Sequence, residues 1–541
     1  MDLKQKMCSF SQNKAVRIAF FSILMLAFAL YSYGLFARQA IDSDYANLVL
    51  EANDIWSGNL FLSGWTLTGI SFIASDMPFF VLGSAFFGIS IESYLVAVSA
   101  MFVAMCLAAM LLLKTPMKTP SGLQKKRLRF LDLLIFMALA LPFSPVAVML
   151  LRAHTGVIVY VFVCAFCVEK ILRSDKKADA KNARYYVLHG LCMALGCMSD
   201  SIMLLLGAGA TLAVLVFRLM CSHDVDKRKF LLLIAVTGLG AVAGLLGDRL
   251  YFLIGGAHKN SFLSKSRFIA LDQLGQKAYI YLQVVLGLLG ADFSDQPLRM
   301  IDALWYAVRG LVFVFALGIM IGHIARLFRG KDVDEVGAIL SIGFLLISAV
   351  FVVTDMGGDV DSGRYIAYAP ALFAILIVRY CRSSGLFERA LFYGKLPTEA
   401  VAAALCAALL VSGYVPVSLT GRAVADQERL GAFLQEQGLE YGYGQFWNAS
   451  HVTVATRDQV RVRAIFCDEY GPVSFNWFIK EGWYDRPANF VISDNRRFNF
   501  GMYEHVVAEH FGEPAQRLTF EDFVIYVYDR DLSRDLSKEL R

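Results

Sequence analysis

Charge is what this 541-residue sequence has least of. Asp, Glu, Lys and Arg make up 18% of it, where a soluble globular chain carries roughly 25%. Proline is scarce too, at 12 residues, while 57% of the chain is hydrophobic and the mean hydropathy is +0.54. That balance excludes a disordered chain and a collagen-like repeat. The formal net charge is only +5, and no module of Arg and Lys interleaved with aromatics stands out, so nucleic-acid binding is excluded. Ten cysteines occur, but no Cys/His cluster has the spacing of a zinc site. Cys106, Cys164, Cys167, Cys192, Cys197 and Cys406 lie inside apolar runs, where the thiol acts as a small hydrophobe, so a secreted disulfide scaffold is excluded as well. No repeat of short period is visible.

What is present is apolar runs long enough to cross a bilayer, which needs about 20 mostly apolar residues. They fall at 16–36, 92–113, 131–149, 155–172, 186–198, 202–219, 230–254, 304–327, 336–353, 365–380 and 400–417. The pattern predicts a polytopic α-helical membrane protein of about eleven spans. Pro142 and Pro145 interrupt the third run. The first run is too long for a cleaved signal peptide and reads as an anchor. Lys4, Lys6 and Lys14 precede it with Arg17 at its start, and the segments 114–129, 173–184, 223–229, 326–331 and 379–395 are rich in Lys and Arg. By the positive-inside rule these segments and the N-terminus face the cytoplasm, and the loops 37–78 and 255–301 face outward. An odd number of spans places the C-terminal region outside as well.

That region differs in character. Residues 421–541 carry 14 basic against 19 acidic side chains, a net of −5, which leaves the preceding part at +10. The small overall charge thus conceals a basic membrane domain, 1–420, and an acidic extracytoplasmic α/β domain, 421–541, of ordinary domain size. Short β-like runs occur at 451–455, 460–466, 489–492 and 523–528, with a helical stretch at 503–510.

The outer loop 37–78 is the informative segment. Tyr45, Leu48, Val49, Ala52, Ile55 and Trp56 follow the spacing of an amphipathic helix lying along the membrane surface, and Gly58-Asn59 stops it. Asp42 and Asp44 stand at its start, where the helix dipole favours negative charge; capping alone would account for both. The loop continues through Trp65 to Asp76-Met77-Pro78, ahead of another apolar run. Asp359, Asp361, Arg364 and Tyr365 gather at the outer mouth of the tenth span, and Tyr441-Gly442-Tyr443-Gly444-Gln445-Phe446-Trp447-Asn448 opens the C-terminal region.

An acidic residue after the first span, then an amphipathic helix, a Trp and Asp-x-Pro, resembles the first outer loop of the GT-C class of membrane glycosyltransferases. That class includes the protein O-mannosyltransferases and the aminoarabinose transferases. Arg364-Tyr365 and the aromatic segment at 441–448 are similar to features of bacterial members; the paired Asp-Glu of the mannosyltransferases is absent.

The resemblance implies a GT-C-like topology and an inverting transfer of a sugar from a polyprenyl-phosphate donor to a cell-envelope acceptor. In such an enzyme a carboxylate takes the acceptor proton and cations stabilise the departing phosphate. Asp44 is the expected base, with Asp42 in reserve. Arg364 is the expected phosphate partner, the other reading being a local ion pair with Asp361 or Asp359. Asp76 is expected near the donor pocket, orienting substrate or holding a divalent ion, with Trp65 and Tyr365 beside the substrate. Lys265 and Arg267 would draw the anionic lipid head inward, although contact with ordinary membrane lipids explains them equally. The oligosaccharyltransferase branch uses a metal, and with no ligand cluster at readable spacing the sequence leaves a cation open. Asp200 reads as a turn residue, and Asp248-Arg249 as paired at the outer interface. The rival function is a transporter or flippase of a lipid-linked saccharide. Transporters carry polar, broken helices near the bilayer midplane, whereas the acids here collect in an outer loop.

Overall fold

The computed structural model describes residues 14–113, 130–141, 144–174, 180–222, 225–260, 266–292, 300–330, 333–384, 386, 390–391, 396–412, 421–468, 471–475, 477–494, 496 and 502–536. Among them seven helical segments are long and apolar enough to cross a membrane: Ile91–Leu113, Thr155–Leu172, Leu204–Cys221, Lys227–Gly255, Ala303–Arg329, Glu335–Val353 and Asp361–Ser384. Shorter apolar helices lie at Met25–Phe36, Met77–Phe87, Leu131–Ala140 and Ala400–Leu410. The chain is a multi-pass membrane protein, and every run read as a span contains helix.

The helices that place the site are α1 (Lys14–Phe36), α2 (Ser43–Trp56), α3 (Met77–Phe87), α4 (Ile91–Leu113), α5 (Phe130–Ala140), α6 (Pro145–Leu150) and α7 (Thr155–Leu172). The interrupted third run is two helices, because Pro145 occupies the first position of α6 and Ser144 caps it through the Ala147 N–H. Further on come α8 (Ala180–Ser199), α9 (Ala210–Cys221, entered through a π-helical stretch Leu204–Gly209), α10 (Lys227–Gly255), α11 (Leu274–Leu288), α12 (Met300–Arg329) and α13 (Glu335–Val353). A 3₁₀ turn, Asp361–Ile366, leads into α14 (Ala369–Ser384), and α15 (Thr398–Ser412) follows.

Beyond residue 420 the structure is mixed. Helices α16 (Asp426–Glu436), α17 (Phe446–Ala455) and α18 (Glu504–Phe511) accompany a six-stranded sheet. Its strands are β3 (Tyr441–Gly444), β4 (Arg461–Asp468), β5 (Gly471–Ser474), β7 (Phe490–Asp494), β8 (Gln516–Phe520) and β9 (Phe523–Val527), in the order β8-β9-β7-β3-β4-β5. Central β3 runs parallel to both neighbours, with Gly442 opposite Val462 and Phe490, and α17 makes the crossover from β3 to β4. A second, three-stranded sheet joins the two parts of the chain. Its strands are β1 (Trp65–Leu67), β2 (His258–Lys259) and β6 (Ile479–Lys480), with Thr66 opposite both His258 and Ile479.

Two expectations change. Residues 451–455, read as strand, are the last turns of α17, which is buried from Phe446 to Val454 on nearly all sides. A short apolar run buried all round has no period that separates strand from helix. Helix α2 forms where its spacing predicts, but it does not lie on an open membrane surface. It packs against α3 and α4 on one side and α17 on the other, and Tyr45 through Ala52 are buried.

Candidate active site

The chain leaves α1 and turns into α2 through Asp42, whose extended backbone and carboxylate cap the helix by accepting the Tyr45 N–H at 3.3 Å. The other carboxylate oxygen pairs with the Arg152 guanidinium at 3.2 Å. Arg152 stands in the turn between α6 and α7. It donates to the carbonyls of Met149 and Ala40, each at 2.9 Å, and lies over the Tyr45 ring at 4.6 Å. Asp44, in the first turn of α2, faces Arg364 of the 3₁₀ turn at 3.7 Å. That turn is pressed closely against its support: a Cβ on Gly363 would stand 2.5 Å from Val284 of α11 and 2.7 Å from Leu150 of α6.

Two guanidiniums and two carboxylates thus alternate along one wall, and Asp361 joins them. They line a cavity of about 310 Å³ together with Ile41, Tyr45, Met149 and Leu150, and with Gln427, Trp447 and His451 of the C-terminal region. Asp44 is strongly altered by this setting. Burial, reinforced by the neighbouring Asp42 charge, pushes its carboxyl up to about 7 against the pull of Arg364 and Arg152. Asp44 Oδ1 and Arg364 Nε are buried with no hydrogen-bond partner among the described residues. A carboxylate that holds its proton near neutrality, beside a guanidinium with an unused donor, is equipped to exchange a proton and to bind an anion.

The sequence-predicted residues separate into two groups. Asp42, Asp44, Asp361 and Arg364 share the cavity, and Arg364 reaches Asp44 rather than pairing within its own turn. Tyr365 lies behind them, its ring 5.0 Å from that of His154. Asp76 is fully buried outside the cavity lining and accepts the N–H groups of His154 and Gly156, each at 2.9 Å, at the start of α7. Trp65 is buried in β1, donating to Asp54 at 2.8 Å and packing edge-on against Trp483. Arg267 is exposed, its backbone N–H on Asp355 at 2.9 Å. Lys265 lies outside the described residues. Asp248 pairs with Lys259 at 3.0 Å. Among the described residues no group of three or more His, Cys, Asp or Glu side chains is placed to hold a metal ion.

Sequence reasoning passed over Arg152, His154 and Asp200. Asp200 is more than a turn residue: it is buried, and its carboxylate meets His154 Nδ1 at 2.6 Å. The available signal was a charged side chain, Arg152, set in apolar sequence between two spans, where charge is retained only for a purpose. Trp447 stands in the aromatic segment 441–448 but nothing in the sequence ties it to the outer loop, and His451 carried no signal, since only folding brings them there.

No family model matches the chain, and no curated protein matches it. Among solved structures it is similar to the crystal structure of ArnT from Cupriavidus metallidurans bound to undecaprenyl phosphate. The TM-score is 0.52 at 12% identity, over 94% of this chain and 97% of that one. The chain shares the ArnT fold. The apo state of ArnT aligns over 94% of this chain and 98% of its own, with a TM-score of 0.36 and 10% identity. The topology expected from the resemblance of the first outer loop agrees with this shared fold. At this identity the ArnT likeness carries the fold, and the chemistry rests on the side chains described above.

Proposed function

We propose that the protein is an inverting glycosyltransferase that moves a sugar from a polyprenyl-phosphate donor to an acceptor hydroxyl. The observation that carries this reading is the juxtaposition of Asp44 and Arg364 at 3.7 Å in one polar cavity, each with an unused buried polar atom. Asp44 takes the proton of the acceptor hydroxyl as its oxygen attacks the anomeric carbon. The bond from that carbon to the phosphate oxygen breaks, and the electron pair leaves with polyprenyl phosphate. Arg364 receives the phosphate charge, for which a planar guanidinium is suited. The two roles are coupled: a donor phosphate that draws Arg364 away removes a cation that lowers Asp44's proton affinity, so arrival of the donor raises that affinity.

The reading places residues 1–420 as the membrane domain with a cytoplasmic N-terminus, and 421–541 as an extracytoplasmic domain over the site; the Lys and Arg bias of the alternate loops supports that orientation. Undecaprenyl phosphate bound to the ArnT of similar fold supports a polyprenyl-phosphate donor. The test is incubation of the purified protein with polyprenyl-phosphate sugars and membrane extract. Wild type is expected to release polyprenyl phosphate, and Asp44→Asn to lose that release while still unfolding cooperatively at a temperature no lower than wild type. Equal turnover by the variant removes Asp44 as the base. Absence of turnover with every donor, together with movement of a lipid-linked saccharide across vesicles, establishes a transporter instead.

A further inference from the structure

We infer that the acceptor is an uncharged saccharide, seated on Trp447 with His451 and Gln427 beside its hydroxyls. The inference rests on the transferase reading above and adds the chemical class of the second substrate.

Three observations support it. First, the part of the cavity lining that the C-terminal region supplies is built for a ligand. Trp447 and His451 are four residues apart, one turn along the same face of α17, and both line the cavity. Their helix is fixed from both sides: Ser450 donates to Asn47 of α2 at 2.7 Å, and Asn448 is held by Gln427 at 3.0 Å and donates to Asp494 at 3.3 Å. Side chains presented by a locked helix hold a ligand in one pose. Second, the residue types suit a sugar. An indole face, negative at its centre, accepts the C–H face of a pyranose, while an amide and an imidazole address hydroxyls. A volume of about 310 Å³ is at the small end of ligand pockets, the scale of one or two sugar rings and not of a folded partner.

Third, charge selects against an anion. The lining carries Asp42, Asp44 and Asp361 against Arg152 and Arg364. Arg152 is occupied by Asp42, and in the proposed reaction Arg364 is given to the donor phosphate. An acceptor with its own phosphate or carboxylate would then face carboxylates with no cation left, and like charges set together repel. An uncharged acceptor meets no such penalty.

The test uses the full-length protein in lipid nanodiscs, free of glycoside detergents, with undecaprenyl phosphate added to fill the phosphate site. Methyl glycosides of glucose, galactose, mannose and N-acetylglucosamine are compared by saturation-transfer NMR and calorimetry with glucose 6-phosphate, glucuronate and a Ser/Thr peptide. At least one neutral glycoside is expected to bind, and the anionic sugars at least about tenfold more weakly. Trp447→Ala is expected to lose about tenfold in glycoside affinity and Trp447→Phe to retain most of it. Both are expected to bind undecaprenyl phosphate as wild type does, which shows that they fold. Glycoside binding unchanged in Trp447→Ala, a preference for the anionic sugars, or binding of the peptide alone overturns the inference. If undecaprenyl phosphate binds, with loss in Arg364→Ala, and no glycoside does, the inference falls and the transferase reading stands. If undecaprenyl phosphate does not bind wild type, both fall.

Discussion

Asp44 owes its proton affinity to its surroundings, and that dependence has a sign that kinetics and unfolding both read. Burial and Asp42 hold its carboxyl near 7, above the ordinary carboxylate range. A base must be deprotonated, so kcat/KM is expected to fall as pH drops below about 7, with the acid limb set by Asp44. Asp42→Asn removes the repulsion and leaves Arg152 unneutralised. Both effects lower Asp44, so the limb moves to lower pH; loss of all activity in that variant would instead make Asp42 the base. The same shift governs stability. The folded state binds this proton more tightly than the unfolded chain, so its contribution is fully present below about 4 and is lost as pH rises to about 7. Asp44→Asn is therefore expected to raise the unfolding temperature at pH 8 and to change it little at pH 4, measured by a thermal melt at each pH. At this scale half the site was legible. Asp42, Asp44, Asp361 and Arg364 stand where an outer loop and a late span begin. Arg152 could not be placed, because its partner Asp42 is 110 residues away and no periodicity links them.

Elements are joined by polar groups that serve as helix ends for one another. Asp76 lies outside α7 in sequence, yet both its oxygens take the first free N–H groups of that helix. A Cβ on Gly156 would stand 2.4 Å from Asp76 Oδ1 and 2.4 Å from the Ser75 carbonyl, so only glycine admits the contact. Asp76→Asn keeps one acceptor and turns an amide N–H₂ toward the other N–H, leaving a buried donor unmet at a cost of about 1–3 kcal/mol. Urea or thermal unfolding checks this, and an unchanged donor KM in the variant would separate the capping role from a role at the donor. Gly363→Val is expected to act differently. With Val284 and Leu150 already in contact, it displaces the turn that carries Arg364, costs about 1–3 kcal/mol, and raises the donor KM. The amphipathic spacing of α2 was readable because one of its faces is more apolar than the other. The burial of its second face by α17 was not, since residues 446–455 are more than 390 positions downstream and their own run has no strand or helix period.

Among the described residues, one set of buried or half-buried ionic groups gathers at the candidate site and a second lies within the helix bundle. In the second set Arg379 of α14 donates to both oxygens of Glu169 of α7, each at 3.1 Å, and to Asp334 ahead of α13 at 2.5 and 2.9 Å. Arg382 of the same helix meets Asp132 of α5. One helix thus fastens three others through charges that are almost wholly buried. Such a pair is weak grounds for net stability against an apolar replacement of both members, but removing one member leaves the other charged and dry. Arg379→Met strands Asp334 and leaves Glu169 with Arg173 alone, and is expected to cost about 3–5 kcal/mol, read as a fall in unfolding temperature in nanodiscs. Undecaprenyl phosphate affinity in the surviving folded fraction should be unchanged, because no Arg379 contact reaches the cavity lining. Changing Arg379, Glu169 and Asp334 together to Met, Leu and Asn should recover most of the loss. If the triple variant is as unstable as the single one, the charges are needed for their own interactions and not merely to satisfy each other. If Arg379→Met alone weakens undecaprenyl phosphate binding, the bundle transmits strain to the 3₁₀ turn at the head of α14, and Arg364 is positioned from both ends of the membrane.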